Sequence, residues 1–393
     1  MIKRASYILP TLIFLLLLMA MLFPEALFFG KILFPTKILY LYEPWRSEFQ
    51  SVAAESLNVI LVDEVLEFYP WREYLRTRLL SGAIPLWDPT AFCGYPFMGL
   101  FQTAFLYVPD RLMDSLKFGD YCTFRAVFNI LAAGIGMAVF LKRYKSSAVA
   151  ASLGAVAYAG SGFLIVWMGH PHAKSAVWLP WIFWAVEIIQ KKPKFGFITL
   201  TLAGTLALTA GHIETVLHMA TAAGFYSVFK YGRQWVQKSY RPLIALVCAS
   251  VVTLLISAAM LLPFAEYLSR SVAYETRSEG VVVQTYLDKT LMITHIMPKL
   301  FGSSENGTYS YAGFNFSKTG GFNSAEIMGA FIGVVPLILG LAGLLSKQCA
   351  SFRSVFAVIV VFCAGVVYKF PLIYQLSQLL PGYKMSYNFR MVL

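Results

Sequence analysis

Nine long apolar runs divide this chain, and its charges sort by the side of those runs on which they fall. Five short segments on one side hold Lys3, Arg4, Lys142, Arg143, Lys145, Lys191, Lys192, Lys194, Lys230, Arg233, Lys238, Arg241, Lys347 and Arg353, with no carboxylate. The other side takes every Asp and Glu except Glu187, which falls near the inner end of a run. Short cytoplasmic loops of membrane proteins accumulate Lys and Arg because positive charge resists translocation. The pattern predicts an all-α polytopic membrane protein with its N-terminus inside. It also puts nearly every group capable of acid–base chemistry on the outer face.

With 58% hydrophobic and 13% charged residues, the chain is far from the balance of a soluble domain. Its net charge of +12 follows from that topology and suits anionic lipid rather than nucleic acid. The five cysteines have no CxxC spacing, so neither a disulfide framework nor a cysteine metal site is indicated. The first run, Tyr7–Phe29, is too long for a signal-peptide core and reads as a retained span. Further spans are expected near 122–141, 147–168, 174–190, 195–210, 213–229, 242–264, 326–346 and 354–371, all in a single membrane domain, 1–393. Two outer loops are long, 30–121 and 265–325, and a third outer segment begins near 372. The last stretch has no terminating element, so the chain is expected to be a fragment.

The first outer loop carries the densest chemistry. Pro70 suits the first turn of a helix and Gly82 its end, which predicts a helix over 70–81. Trp71, Tyr74, Leu75 and Leu79 share one face of it, with Arg72 and Arg76 elsewhere. That is the pattern of an amphipathic interfacial helix lying on the bilayer. Asp63, Glu64 and Glu67 come just before it, where a carboxylate could take a proton from a hydroxyl while the arginines hold a lipid phosphate. The competing reading is a solvated loop whose charges face water. The Pro-, Gly- and aromatic-rich stretch 83–110 reads as a rigid surface segment, a wall over a lipid or sugar site.

Two short outer turns add His170, His172 and Lys174, then His212 and Glu214. They could bind phosphate or steer a sugar hydroxyl. Two His and a carboxylate are also compatible with a divalent metal ion, although a HxH turn has no ligand geometry of its own. The plain alternative is polar caps on helix ends at the water interface. Arg125, near the outer end of the second span, either snorkels outward or meets a headgroup phosphate. The Gly-rich stretch 302–321 of the second long loop reads as a flexible cover.

The outer-loop acid, Tyr69-Pro-Trp-Arg72, Ile84-Pro-Leu-Trp-Asp-Pro89, Gly94-Tyr-Pro96, Gln102-Thr-Ala104 and Leu106-Tyr-Val-Pro109 together resemble the bacterial YfhO-type membrane proteins. The likeness continues through 157–163, 170–172, 178–187, 211–215 and 297–302. That family is similar in turn to the GT-C superfamily of polytopic glycosyltransferases. The resemblance implies a GT-C-like helical bundle in the bacterial cytoplasmic membrane, active on the extracytoplasmic face. It implies a polyprenyl-phosphate sugar donor, a cell-envelope polymer or glycolipid acceptor, and transfer with inversion at the anomeric carbon. The acidic position maps to Asp63, with Glu64 adjacent. Arg72 falls where a cation could steady the donor phosphate.

There is no Walker A, no GxGxxG after a strand, no GxSxG and no HExxH. Two functions remain: a glycosyltransferase using a lipid-linked sugar, and a flippase-like transporter of lipid-linked saccharide or envelope polymer. A transporter should carry ionisable groups near the bilayer midplane, and here the span centres are almost free of them.

Overall fold

The computed structural model describes residues 7–49, 61–236, 240–278, 286–300, 331–345 and 350–391. The Gly-rich stretch 302–321, the start of the eighth apolar run and Lys3, Arg4, Lys238 and Lys347 lie outside these residues. Among the described residues the secondary structure is helical, with one isolated β-bridge between Asp88 and Tyr95.

The principal helices are α1 (Ile8–Leu22), α2 (Tyr69–Leu80), α3 (Phe118–Leu141), α4 (Ala148–Ala159), α5 (Gly162–Val166), α6 (Pro171–Ala176), α7 (Leu179–Ile189), α8 (Pro193–Thr209), α9 (Ile213–Val236), α10 (Arg241–Ile256), α11 (Ala258–Ser269), α12 (Val334–Leu345), α13 (Ala350–Val367) and α14 (Pro371–Ser377). Proline opens many of them. Pro70, Pro171, Pro180, Pro193, Pro242 and Pro371 all stand in a first turn, where a missing N–H costs nothing. The predicted helix over 70–81 is α2, shifted by one residue at each end.

By length and composition, Phe118–Tyr144 is one helix able to cross a membrane. Two bent pairs qualify if each is one span: α10 with α11, turning 70°, and Phe352–Val367 with α14, turning 91°. The helices α1, α4 and α12 are apolar but shorter. Several expected spans are therefore interrupted. The run 147–168 breaks at Gly160 and Ser161 into α4 and α5. The run 174–190 divides at Val177 and Trp178, because Pro180 has no N–H with which to continue α6.

Helix α1 packs on α3 and α4, α3 on α7, α7 on α8, and α8 on α10. One apolar core gathers Phe140, Phe183, Tyr226 and Val355; a second gathers Leu15, Ile130, Phe163 and Trp167. Small residues let helices approach closely, as at Gly154, where a β-carbon would come within 2.3 Å of Leu141 Cδ1.

Helix α9 separates the polar groups into two poles. Near its start, Glu214 pairs with Arg277 and with Arg390, each at 3.3 Å. Sixteen residues further on, about 24 Å along a helix, Lys230 pairs with Glu187. Tyr144 and Tyr226 hydrogen-bond to that same carboxylate, so the lone acid of the basic side is neutralised locally. Segments expected outside thus meet at the first pole, and segments expected inside meet at the second.

Candidate functional site

Immediately before α2 the chain makes one wide π-helical turn, Glu64–Phe68. It turns Glu64 and Val65 inward and leaves Asp63 and Glu67 exposed. Glu64 is 7% exposed and lies against Gly169, whose missing side chain makes room for the carboxylate. Arg125 of α3 faces it, with Nη2 3.7 Å from Oε2, and the same guanidinium donates to the Gly169 carbonyl at 3.3 Å. His170 Nδ1 lies 3.8 Å from Glu64 Oε1. Burial raises the Glu64 carboxyl above the ordinary glutamate range; Arg125 pulls it down and Asp63 pushes it up. Burial also pushes His170 down to about 3, so its ring is neutral at physiological pH.

Glu64 opens onto a cavity lined by Arg72, Asp110, Arg111, Arg125 and Lys174, with Gln102 and Thr103 and an aromatic rim that includes Phe34, Tyr69, Phe118 and Tyr121. Four cations stand against two carboxylates. The guanidinium of Arg72 lies 3.7 Å from the centre of the Tyr121 ring, and that of Arg125 lies 5.4 Å from it. Lys174 donates to Asp110 Oδ2 at 2.9 Å. Burial alone would raise Asp110, but Lys174, with Arg111 and Arg125 further off, outweighs it and holds the carboxyl below its usual value. Arg72 Nε, Arg125 Nε and Asp110 Oδ1 are buried without a hydrogen-bond partner in the protein. Buried polar atoms are nearly always satisfied, so such a set marks a place built for a ligand or ordered water. With four cations to two carboxylates in the lining, the cavity favours an anion.

A second group adjoins the first. His172 stacks on His212 with ring centres 3.5 Å apart, and on Trp167 at 4.3 Å. Glu214 sits at the head of the same turn, held by Arg277 and Arg390. Asp63 lies within reach of the Arg390 charge, which lowers its carboxyl, although desolvation is the larger effect and raises it. Glu67 is raised by desolvation first and by Asp63 second.

Three expectations change. Arg72, expected away from the face that carries Leu75, is buried together with Leu75, while Arg76 is half-buried. Arg72 donates to the Met113 carbonyl at 3.4 Å and to Glu73 at 2.6 Å, and Arg76 Nε donates to the Asp114 carbonyl. Carbonyls and an aromatic ring accept the guanidinium, so charge does not dictate the face. The turns with His170, His172, Lys174 and His212 are not water-facing caps, since all four side chains are buried. Arg125 is buried as well and points to Glu64 rather than outward. Among the described residues no three His, Cys, Asp or Glu side chains are grouped so as to hold a metal ion.

The structure thus brings Glu64, Arg72 and Lys174 together in one cavity, His170, His172, His212 and Glu214 beside it, and leaves Asp63, Glu67 and Arg76 outside the lining. Asp110 and Arg111 carry no motif that would have singled them out; the only signal was an acid following Pro109 at the end of the aromatic stretch. His295 of the second loop pairs with the Tyr368 hydroxyl at 2.6 Å. Compared with family models, curated proteins and solved structures, the chain has no significant match to any.

Proposed function

We propose that this chain is an integral-membrane glycosyltransferase of the GT-C type, moving a sugar from a polyprenyl-phosphate donor to an envelope polymer or glycolipid. In this reading it crosses a bacterial cytoplasmic membrane about nine times, N-terminus inside, with the bent pairs and the shorter apolar helices supplying crossings beyond Phe118–Tyr144. The charge segregation of the sequence and the resemblance to YfhO-type proteins support that topology. The observation that carries the chemistry is a buried carboxylate, Glu64, opening onto a cavity whose other charged lining is mostly cationic.

A raised carboxyl is a better base at neutral pH than an ordinary glutamate. Glu64 takes the proton of the acceptor hydroxyl as its oxygen attacks the anomeric carbon. The bond from that carbon to the phosphate oxygen breaks, and polyprenyl phosphate leaves with the electron pair. Arg72, Arg111, Arg125 and Lys174 stabilise the charge that develops on it. Attack opposite the leaving group inverts the anomeric centre. Asp63, one residue earlier and exposed, belongs to the approach to the site in this scheme.

A flippase-like reading draws on one observation, the sharply bent helix pairs, since broken helices are common in transporters. Reconstituted protein given a labelled polyprenyl-phosphate sugar and envelope glycopolymer separates the two. The proposal expects label covalently on the polymer; movement of intact donor across the bilayer without transfer would favour the transporter. Mass spectrometry of glycopolymers from cells with and without the gene identifies the sugar.

A further inference from the structure

The cavity is not the only feature of the first outer loop that asks for a partner. Between α2 and the wall of the bundle, Ile84, Leu86, Trp87 and Phe92 stand exposed, Phe92 at 92%. The turn that carries them is closed by its own hydrogen bonds. Asp88 and Tyr95 exchange both backbone hydrogen bonds at 2.9 Å. The Asp88 carboxylate accepts from Thr90 N at 2.8 Å and from the Tyr95 hydroxyl at 2.8 Å. Tyr74 of α2 donates to the Trp87 carbonyl at 2.6 Å. Phe92 and Cys93 are held at φ +53° and +59°, left-handed backbone that non-glycine residues adopt only when their surroundings impose it. The loop is a braced turn in which the Trp87 ring lies over Gly94 and Phe92 projects from the tip.

What lies next to it identifies the partner. The segment following the turn packs on α11, with Phe101 and Phe264 ring centres 4.9 Å apart and Gly99 against Tyr267. Helix α11 is the outer half of a bent apolar pair able to cross a membrane, and its Leu262 is exposed too. In the membrane reading, the segment that carries the apolar tip is thus packed on a helix that meets lipid. Arg78, exposed on the last turn of α2, adds a cation where headgroup phosphates would lie. Tryptophan and arginine beside aliphatic residues are what a segment at headgroup depth requires.

The geometry points to the turn 84–93 as a bilayer anchor, inserting Ile84, Leu86, Trp87 and Phe92 into the outer leaflet and fixing the height of the cavity above the membrane. It rests on the membrane reading but not on the glycosyltransferase one, so a failed transfer assay leaves it standing.

Cys93 at the tip is exposed and supplies the probe. The full chain with Cys122, Cys248, Cys349 and Cys363 changed to Ser is labelled at Cys93 with a fluorophore and reconstituted into phosphatidylcholine–phosphatidylglycerol vesicles. The inference expects quenching by shallow doxyl-labelled phospholipid and protection from aqueous iodide. Quenching by iodide alone, or by neither because protein covers the tip, overturns it. Photolabelling of the unmodified chain from a phospholipid with a shallow photoactivatable group makes the same test: adducts on the 84–93 peptide are expected, and their absence contradicts the anchor.

Discussion

A β-carbon on Gly169 would lie 1.9 Å from the Glu64 carboxylate, so these two residues, 105 positions apart, share one space that only glycine leaves free. Gly169→Ala should drive the Glu64 side chain off its position toward Arg125 and His170. We expect sugar transfer to fall by about 100-fold or more, as for loss of a positioned base. Overpacking should cost about 1–3 kcal/mol of stability. Parallel transfer assays and thermal melts of the purified protein check it, and unchanged activity would mean that the glycine is not needed to seat the carboxylate.

The pH response follows from Glu64. Its folded carboxyl lies above the unfolded value, so the folded state holds the proton more tightly, and burial of the charged form weakens the fold as pH rises. Because a general base acts in its ionised form, the transfer rate should rise with pH through a midpoint above 4.5, the ordinary glutamate value. Glu64→Gln should melt at a higher temperature than wild type at neutral pH, with the difference shrinking in acid. A melting series across pH 4 to 8 reads the sign directly.

Asp110 behaves in the opposite sense. Its folded carboxyl is lowered, so its contribution to stability is present above the unfolded value of 3.8 and is lost as pH falls through the folded one. The partner Lys174 is buried too, and Asp110→Ala leaves that ammonium unpaired, at a cost of about 3–5 kcal/mol. Asp110→Leu combined with Lys174→Met should recover much of that loss. A double-mutant cycle on unfolding midpoints decides whether the pair is coupled.

Arg72 sits on Tyr121 through its flat guanidinium face. Lysine keeps the charge but not that contact or the fork of donors. Arg72→Lys and Arg72→Ala should both raise the KM for donor while leaving that for acceptor nearly unchanged. Equal effects on both substrates would make Arg72 part of the scaffold alone.

How far the sequence anticipates this arrangement depends on the range of the interaction involved. Local signals held: Pro70 stands in the first turn of the helix found at Tyr69–Leu80 and Gly82 follows its end, and apolar runs became helices. The helix breaks at Gly160 and before Pro180 also have local causes, but the length of each apolar run hid them. Which member of the Asp63–Glu64 pair turns inward was not legible, because neighbouring positions on a helix differ by about 100° in direction. The choice is made by Gly169 and Arg125, far along the chain. The same holds for Asp110 and Lys174, 64 residues apart, and for the imidazoles of His172 and His212, which look like surface caps until two turns close on each other.

The most direct test compares Glu64→Gln with Asp63→Asn in a reconstituted transfer assay using labelled polyprenyl-phosphate sugar, with membrane insertion checked for both. Glu64→Gln should lose transfer by about 100-fold or more while Asp63→Asn keeps most of it. Full transfer by Glu64→Gln would contradict the assignment of the buried carboxylate as the base.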